Sequence, residues 1–261
     1  ITPGTLVEES ILDEKKNNYL AAVTVSKGKA GLAWIDTSTG AFFATDLDEA
    51  RLADELVRLS PVESLLAENP RHEGLLFAAA SGFTQYAFAF VQEDADEIEA
   101  TSVARATELR ARARKLYIRA RGYGLRGLAL RHPGFEAALR ADSERALESL
   151  RANDVALLYW TAAAWAGAIN LSKDDPGTVA DLPLVEAMMD RGLALDEDFS
   201  DGAIHAFLIS YESSRPGGAR DAEARARAHF ERAVELTGGK LAGPMVAFAE
   251  AVAIPRQDRK E

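Results

Sequence analysis

The chain contains no cysteine, and this absence excludes several kinds of chemistry at once. Without thiols there is no disulfide, no thiolate nucleophile and no cysteine-ligated zinc site. Histidine is scarce as well, with four residues in a chain of 261, and their spacing matches none of the usual zinc-binding patterns. The four are His72, His132, His205 and His229. We therefore expect neither a metal site nor a cofactor.

Positive charge is in deficit. The 30 lysines and arginines are outnumbered by 41 aspartates and glutamates, which gives a formal net charge of -11. A protein that binds nucleic acid through bulk charge must neutralise phosphates with an excess of basic residues. We therefore expect no direct nucleic-acid binding. The 48% of hydrophobic residues is typical of a globular chain with one or two domains.

Signature motifs of enzymes are also missing. The segment Gly238-Gly-Lys-Leu241 lacks both the glycine spacing and the hydroxyl residue of a phosphate-binding loop. No set of residues fills the roles of nucleophile, base and stabiliser. Asp36 is a lone carboxylate without the acidic partners that two metal ions need, and we interpret it as a turn residue. We therefore predict a protein that is not an enzyme and has no catalytic residues.

Neither an export signal nor a membrane span is evident. The chain begins at Ile1 without a basic and then apolar leader and without a lipobox, so we expect a mature form or a fragment, cytoplasmic as written. The most apolar stretch, residues 155–171, is rich in alanine and includes the polar Thr161 and Asn170. A bilayer span needs about 20 apolar residues. We predict a buried helix there and no transmembrane segment.

The first sixty residues have the pattern of a small α/β segment. Apolar residues alternate over 19–25 and 30–35, on either side of a turn in which Gly28 can supply a positive φ, and this predicts a hairpin. A third strand is predicted at 41–45. Asp46 or Asp48 should then cap a helix, with Leu52, Leu56 and Leu59 on one face and Ser60-Pro61 at its end. About three antiparallel strands and one helix would form part of a ribonuclease H-like layer.

Several short motifs occur in order along this segment. They are Thr2-Pro-Gly-Thr5, Leu12-Asp13, Asn17-Asn-Tyr-Leu-Ala-Ala22, Asp36-Thr-Ser-Thr-Gly40 with Phe42, Leu52-Ala-Asp-Glu-Leu56 and Ser60-Pro61. In this order they resemble the start of the connector domain of the bacterial mismatch-repair protein MutS. The resemblance implies a ribonuclease H-like fold that relays nucleotide state and contacts partner proteins without catalysis of its own.

The pattern after residue 62 is helical. Residues 75–92 are apolar and aromatic and break into an acidic run at 93–97. A helix at about 102–121 carries an apolar stripe and, largely elsewhere on its surface, six arginines. The stripe consists of Ala106, Leu109, Ala113, Leu116, Tyr117 and Ala120. A basic helix could bind nucleic acid, but Tyr117 belongs to the apolar stripe, and no aromatic residue lies on the charged face for base stacking. A solvated face that pairs with the acidic run is the preferred interpretation.

Helix ends recur in a similar form further along the chain. Two helices carrying Arg-Gly-Leu-Ala-Leu, at 126–130 and 191–195, are predicted to end at Arg131-His-Pro-Gly134 and at Asp196-Glu-Asp198. An aromatic residue, Phe135 or Phe199, follows each of them. Such repetition is typical of helical hairpins of the tetratricopeptide type, which stack because no pair can bury its apolar side alone. The predicted fold is mainly α, an irregular helical-hairpin repeat body with the small α/β segment before it.

A second set of motifs extends to the end of the chain. They are Gly82-Phe-Thr-Gln-Tyr86, Arg114-Lys-Leu-Tyr117, Arg121-Gly-Tyr-Gly-Leu-Arg126, Arg131-His-Pro-Gly-Phe135, Leu158-Tyr-Trp-Thr-Ala162 with Trp165, Ser172-Lys-Asp-Asp175, Ala203-Ile-His205, Tyr211-Glu212, His229-Phe230, Gly239-Lys240 with Gly243-Pro244, and Pro255-Arg-Gln-Asp258. They resemble the TatT component associated with TRAP transporters. The resemblance implies a periplasmic, lipid-anchored helical-repeat protein, often a trimer with channels, that exchanges ligand with a solute-binding protein.

The two resemblances divide the chain into a partial MutS connector-like segment at 1–62 and a TatT-like domain at 63–261, truncated at both ends relative to its family. The favoured function is a non-enzymatic binding or scaffold protein whose partner is a small solute or the solute-binding protein of a TRAP transporter. One alternative is a MutS-like mismatch-repair fragment. Another is a fused or artefactual reading frame with neither full function.

The candidate ligand-binding residues are aromatic side chains that could line a small-molecule pocket, together with a few polar side chains. They are Tyr86, Trp160, Trp165, Asn170, His205, Tyr211, Glu212, Lys240 and Glu250. Two structural alternatives stay open. Tryptophans on an alanine-rich helix are more often core residues, because small neighbours leave room for large rings. His205, between Ile204 and Phe207, suits a buried and hydrogen-bonded histidine.

Overall fold

The computed structural model describes residues 19–36, 41–52, 55, 66, 69–212, 215 and 220–254. The chain divides into two compact units. The larger unit lies within Thr5–Ser149 and Ala156–Ala187, and the smaller unit lies within Leu150–Val155 and Met188–Glu261. The strands and the first helices belong to the same unit, and the boundary predicted at residue 62 stays a prediction.

A three-stranded antiparallel sheet opens the larger unit. Its strands are β1 (Tyr19–Ser26), β2 (Lys29–Asp36) and β3 (Phe42–Asp48), in the order β1-β2-β3. Lys27 and Gly28 both have positive φ, 51° and 77°, as in the tight turns that join twisted antiparallel strands. The predicted hairpin and the small α/β part of the fold are confirmed.

The third strand is longer than predicted, and this changes the role of two aspartates. β3 continues to Asp48, so Asp46 lies within a strand and cannot cap a helix. Asp48 precedes a single 3₁₀ turn, Glu49–Arg51, but its side chain makes no capping hydrogen bond and accepts one from Lys29 across the sheet instead. The predicted helix face at Leu56 and Leu59 lies outside the described residues.

The other described elements are mainly helical, as predicted. They are α1 (Glu73–Tyr86), α2 (Glu93–Ile98), α3 (Val103–Arg131), α4 (Phe135–Ala141), α5 (Ser143–Glu148), α6 (Val155–Asn170), α7 (Pro176–Val179), α8 (Leu182–Leu195), α9 (Phe199–Tyr211), α10 (Ala222–Thr237) and α11 (Gly243–Phe248). π-helical turns follow α1 at Ala87–Gln92 and α11 at Ala249–Ala253, and a 3₁₀ turn, Ala152–Asp154, precedes α6.

Sheet and helices of the larger unit share one hydrophobic core. Ile35 of β2 is buried in the same cluster as Leu76 and Phe83 of α1, Ala120 of α3 and Ala164 of α6. The predicted stripe of α3 is buried or half-buried throughout its length. The strands therefore pack on the helical part of the chain. The sequence pattern did not predict this packing.

α3 is a single helix of 29 residues, which joins the helix predicted at about 102–121 to the one predicted to carry residues 126–130. Its glycines do not break it, because two of them face α6 at very short range. A Cβ on Gly124 would lie 2.1 Å from Thr161 Oγ1, and a Cβ on Gly127 would lie 2.8 Å from a methyl carbon of Leu157. The absence of side chains thus permits close contact between the two helices.

Both predicted helix ends are found. α3 ends at Arg131 and α4 begins at Phe135 after Gly134, whose φ is 77°. α8 ends at Leu195, and α9 begins at Phe199. The two phenylalanines are buried, so each new helix starts with a side chain in the core. The tetratricopeptide-type description of these pairs stays a prediction.

The path from α1 to α2 is helical without interruption, which corrects the break predicted at the acidic run. The stretch Glu73–Ile98 is long and apolar enough to cross a bilayer by length and composition alone. However, 61% of its apolar window is buried inside the protein, as in the core helix of a globular unit. The acidic run pairs with α3 as predicted, because Arg110 binds Asp96 at 2.6 Å and Glu99 at 2.7 Å.

The smaller unit is built around the packing of α9 against α10, with α11 beside both. Ile204 and Leu208 of α9 are buried, as are Ala226 and Ala233 of α10. The first turn of α9 is irregular, since residues 200–202 all have positive φ. The helical hairpin formed by α9 and α10 carries most of the polar residues described next.

Candidate functional site

A buried carboxylate lies at the end of α9 in the smaller unit. The side chain of Glu212 is fully buried and is flanked by two guanidinium groups. Arg225 Nε donates a hydrogen bond to Glu212 Oε2, and Arg215 Nη1 lies 3.0 Å from Glu212 Oε1. Arg215 also binds Asp190 of α8 at 3.0 Å. A buried charge needs such partners because its desolvation is costly.

Two histidines extend this network across the α9–α10 pair. His205 of α9 is 5% exposed, and its Nδ1 lies 2.8 Å from Nδ1 of His229 on α10. The opposite nitrogens face carboxylates: His205 Nε2 lies 3.2 Å from Glu197 Oε1, and His229 Nε2 lies 3.8 Å from Glu212 Oε1. Burial lowers the pKa of both imidazoles below the ordinary value for histidine. The pair is therefore neutral at neutral pH.

An open depression of about 570 Å³ borders the network. It is lined by Asp190, Leu193, Ala194, Leu195, Asp196 and Glu197. Arg232 donates two hydrogen bonds, of 2.7 and 2.9 Å, to the carboxylate of Glu197, and this pairing lowers the pKa of Glu197 to about 2. Glu197 is therefore ionised at physiological pH. Because Asp190 and Glu197 belong to both features, the wall of the depression is continuous with the buried network.

A second polar cluster surrounds Trp165 in the larger unit. The indole is fully buried, and its Nε1 donates to Asp181 Oδ2 at 3.2 Å. Arg140 binds the same carboxylate at 2.7 and 3.2 Å. The guanidinium carbons of Arg121 and Arg140 lie 4.7 and 5.2 Å from the ring centroid, within cation–π range. The cluster ties α3, α4 and α6 together.

Aromatic side chains stand exposed around the π-helical turn that follows α1. Phe88 is 53% exposed and Phe90 is 41% exposed. Phe90 stacks between Tyr86, at 5.7 Å, and Phe42 of β3, at 6.2 Å. Arg112 of α3 lies over the Tyr86 ring and donates to its hydroxyl at 3.2 Å. These five residues are named the aromatic surface.

The π-helical turn is anchored on its buried side. Tyr117 of α3 donates a hydrogen bond to Gln92 Oε1 at 3.0 Å, and burial raises the pKa of Tyr117. Ala87 and Val91 are buried, whereas Phe88 and Phe90 are exposed. A π-helical turn adds a residue to the helical path and is frequent at functional sites. Here it holds two phenylalanines on the surface.

The predicted ligand-binding residues are distributed over both units. In the larger unit, Tyr86 belongs to the aromatic surface, Trp160 and Trp165 are buried on α6, and Asn170 is exposed at its end. In the smaller unit, His205 and Glu212 are brought together through His229, and Tyr211 stacks on Phe207 at 5.9 Å. Lys240 and Glu250 are exposed. Trp160 Nε1 has no hydrogen-bond partner among the residues that the structure describes.

Sequence reasoning missed several members of the buried network. Glu197 and the α10 residues Arg225, His229 and Arg232 were not predicted as site residues. A signal was present, because the α10 residues are spaced by four and then three positions and so share one face of the helix. In the described part of the chain, no group of three or more histidine, aspartate or glutamate side chains could hold a metal ion.

Comparison with known proteins decides the family. A model described as "TRAP transporter T-component" matches residues 46–261. The chain belongs to this family. An uncharacterised protein of Treponema pallidum is 27% identical over 218 residues, which are 82% of this chain and 67% of that protein. The T-component match begins within β3, and the boundary predicted at residue 62 stays a prediction.

The predicted MutS-like fragment is confirmed as well. The DNA mismatch repair protein MutS of Methanothrix thermoacetophila is 47% identical over 77 residues, and that of Chloroflexus aurantiacus is 49% identical over 73 residues. These matches cover 30% and 26% of this chain. The chain spans only 9% and 8% of those two proteins.

Proposed function

We propose that this T-component is a non-enzymatic binding protein that docks on the solute-binding protein of a TRAP transporter through its aromatic surface. The observation that carries the proposal is the exposure of Phe88 and Phe90 on an anchored π-helical turn. Both residues lie inside the part of the chain that matches the family. A folded unit that keeps such residues exposed has a surface suited to a protein partner.

The composition of this surface fits protein–protein recognition. Aromatic residues and arginine are enriched in the centres of interfaces and carry much of their binding energy. Phe90 and Tyr86 are stacked, and Arg112 is held against Tyr86, so little side-chain freedom remains to be lost on binding. These contacts support a preformed docking surface rather than a catalytic site.

We further propose that the depression of the smaller unit binds a small solute. Its volume of about 570 Å³ lies within the usual range for small-molecule sites, about 300 to 1,000 Å³. Leu193 and Leu195 supply apolar walls, and Asp190 and Glu197 supply polar groups that the buried network holds in place. Membership of the family also supports a periplasmic location and a homotrimer. Native mass spectrometry of the purified chain would detect the trimer.

A double substitution tests docking on the partner. Phe88→Ser with Phe90→Ser removes two exposed rings, each worth about 1 to 2 kcal/mol at an interface, so the affinity for the solute-binding protein of its TRAP transporter should fall at least about tenfold. Isothermal titration calorimetry measures the change. Val103→Ser is the matched control, because Val103 is an exposed apolar residue of the same unit. Equal affinity of the double variant and the wild type would refute the proposal.

Mismatch repair is a second candidate function, favoured by the 47% identity to MutS over 77 residues. We propose that any repair role would rest on partner contacts of the sheet β1–β3. The test is expression of the chain in a bacterium that lacks its own MutS. A restored low mutation rate would favour repair, whereas an unchanged mutation rate is the result expected of a transport component.

A further inference from the structure

The buried His205 and the half-buried His229 of the smaller unit face each other through the same kind of atom. Their Nδ1 atoms are 2.8 Å apart, which is a hydrogen-bond distance. Two bare nitrogens at this distance would repel each other, and two N–H groups would clash. One proton, and only one, therefore lies between His205 and His229.

The flanking carboxylate on one side identifies the donor. Glu197 is ionised and can only accept, so the hydrogen of the 3.2 Å contact belongs to His205 Nε2. A neutral imidazole carries a single N–H, and the Nδ1 of His205 is then an acceptor. The proton between the two rings consequently belongs to Nδ1 of His229.

This assignment leaves Nε2 of His229 without a proton. It faces Glu212 Oε1 across 3.8 Å, too far for a hydrogen bond. Glu212 Oε1 is buried and accepts no hydrogen bond from the residues that the structure describes, its 3.0 Å contact with Arg215 being an ion pair. An unprotonated nitrogen thus faces a buried carboxylate, and the negative charge of Glu212 would stabilise a proton on that nitrogen.

We propose that His229 Nε2 is a proton-binding site, at which the His205–His229 pair takes up a single proton in mildly acidic conditions and forms an ion pair with Glu212. A second proton is excluded while the rings keep their positions, because it would place two N–H groups 2.8 Å apart. The pair therefore binds one proton where two separate histidines would bind two.

The charges around His229 set the pH at which it takes up the proton. Burial and the neighbouring His205 lower the pKa of His229, Glu212 raises it, Arg215 lowers it, and Asp190 raises it. Around His205, burial lowers the pKa, Glu197 and Asp198 raise it, and Arg232 lowers it. Asp190 lies on α8, and Glu197 and Asp198 lie just before α9. Glu212 and Arg215 follow α9, and Arg232 lies on α10.

The sign of the stability change follows from the lowered pKa of His229. An unfolded chain takes up the proton near the ordinary histidine pKa of about 6.5, before the folded chain does. The contribution to stability is therefore present above about pH 6.5 and declines as the pH falls towards the pKa of the folded state. The packing of α9 on α10 should weaken over the same interval.

A metal ion is a poorer occupant of this position. Two histidine nitrogens that each bind zinc at about 2.0 to 2.1 Å in tetrahedral geometry are separated by roughly 3.3 Å, farther apart than the observed 2.8 Å. The carboxylates of Glu197 and Glu212 face the Nε2 atoms of the two rings. Neither carboxylate is therefore placed to bind an ion held between the two Nδ1 atoms. The geometry favours a proton.

Imidazole nitrogen NMR of the full-length chain tests the proposal. At pH 7.5 we expect the Nε2–H tautomer for His205 and the rarer Nδ1–H tautomer for His229. As the pH falls towards 5, His229 alone should gain a second N–H while His205 stays neutral. Protonation of His205 first, or of both rings before unfolding, would overturn the proposal. So would a shift of both rings on addition of equimolar Zn²⁺.

Substitutions give an independent readout of the same site. Glu212→Gln should make His229 at least about tenfold weaker as a proton acceptor, since it removes the facing charge. Glu235→Gln is the control, because Glu235 is an exposed α10 carboxylate paired with Arg232. His229→Asn keeps a donor towards His205 and should abolish the proton uptake without unfolding the α9–α10 pair. An unchanged His229 titration in Glu212→Gln would contradict the assignment.

Discussion

The close approach of α3 and α6 predicts opposite outcomes for two similar substitutions in one helix. In Gly124→Ala the new methyl carbon would lie 2.1 Å from Thr161 Oγ1, 3.0 Å from Thr161 Cβ and 3.3 Å from Thr161 Cα. The hydroxyl is buried and bonded to Leu157 O, so it has little room to turn away. Overpacking of this kind costs about 1 to 3 kcal/mol. Alanine gains about 1 kcal/mol over glycine in a helix, which leaves a net loss of up to about 2 kcal/mol.

Gly122→Ala is the matched control, because a Cβ at Gly122 meets nothing within 4 Å. This variant should gain about 1 kcal/mol from helix propensity alone. Urea denaturation followed by circular dichroism measures the free energy of unfolding of both variants. Adding Thr161→Ala to Gly124→Ala should recover part of the loss, because the two sites are in contact. If Gly124→Ala proved as stable as Gly122→Ala, the description of the α3–α6 contact would be wrong.

Two further substitutions probe the core and the buried network. Ile35→Ala should lower the free energy of unfolding of the larger unit by about 2 to 4 kcal/mol and speed proteolysis within the strands, whereas Val25→Ala at an exposed strand position should change little. Glu212→Gln should lower the free energy of unfolding, measured by urea denaturation, by about 2 to 3 kcal/mol, because two guanidinium groups lose a buried partner. Glu223→Gln removes one member of an exposed pair and should lower it by under about 0.5 kcal/mol. Equal effects within either pair of variants would contradict the burial described.

Local patterns predicted most of the elements because their causes lie close together in the sequence. The hairpin followed from Gly28, whose positive φ the turn requires. The ends of α3 and α8 followed from the turn residues before Phe135 and Phe199. The length of α3 did not, because glycine in a helix is normally unfavourable and only contact with α6 explains Gly124.

Long-range contacts account for what could not be predicted. The burial of Ile35 against α1 depends on how the sheet packs, and alternation within a strand does not identify its neighbour. His205 and Glu212 were candidates, but their link through His229 requires α10 to lie beside α9. Phe88 belongs to an apolar run with a helical pattern, and the π-helical turn places its ring at the surface.

Hydrogen exchange on the full-length chain tests the docking surface most directly. The measurement compares amide exchange in the presence and absence of the solute-binding protein of the same transport system. We predict protection centred on residues 86–92, at the π-helical turn that bears Phe88 and Phe90. Protection confined to other segments, or exchange at residues 86–92 that binding leaves unchanged, would contradict the account.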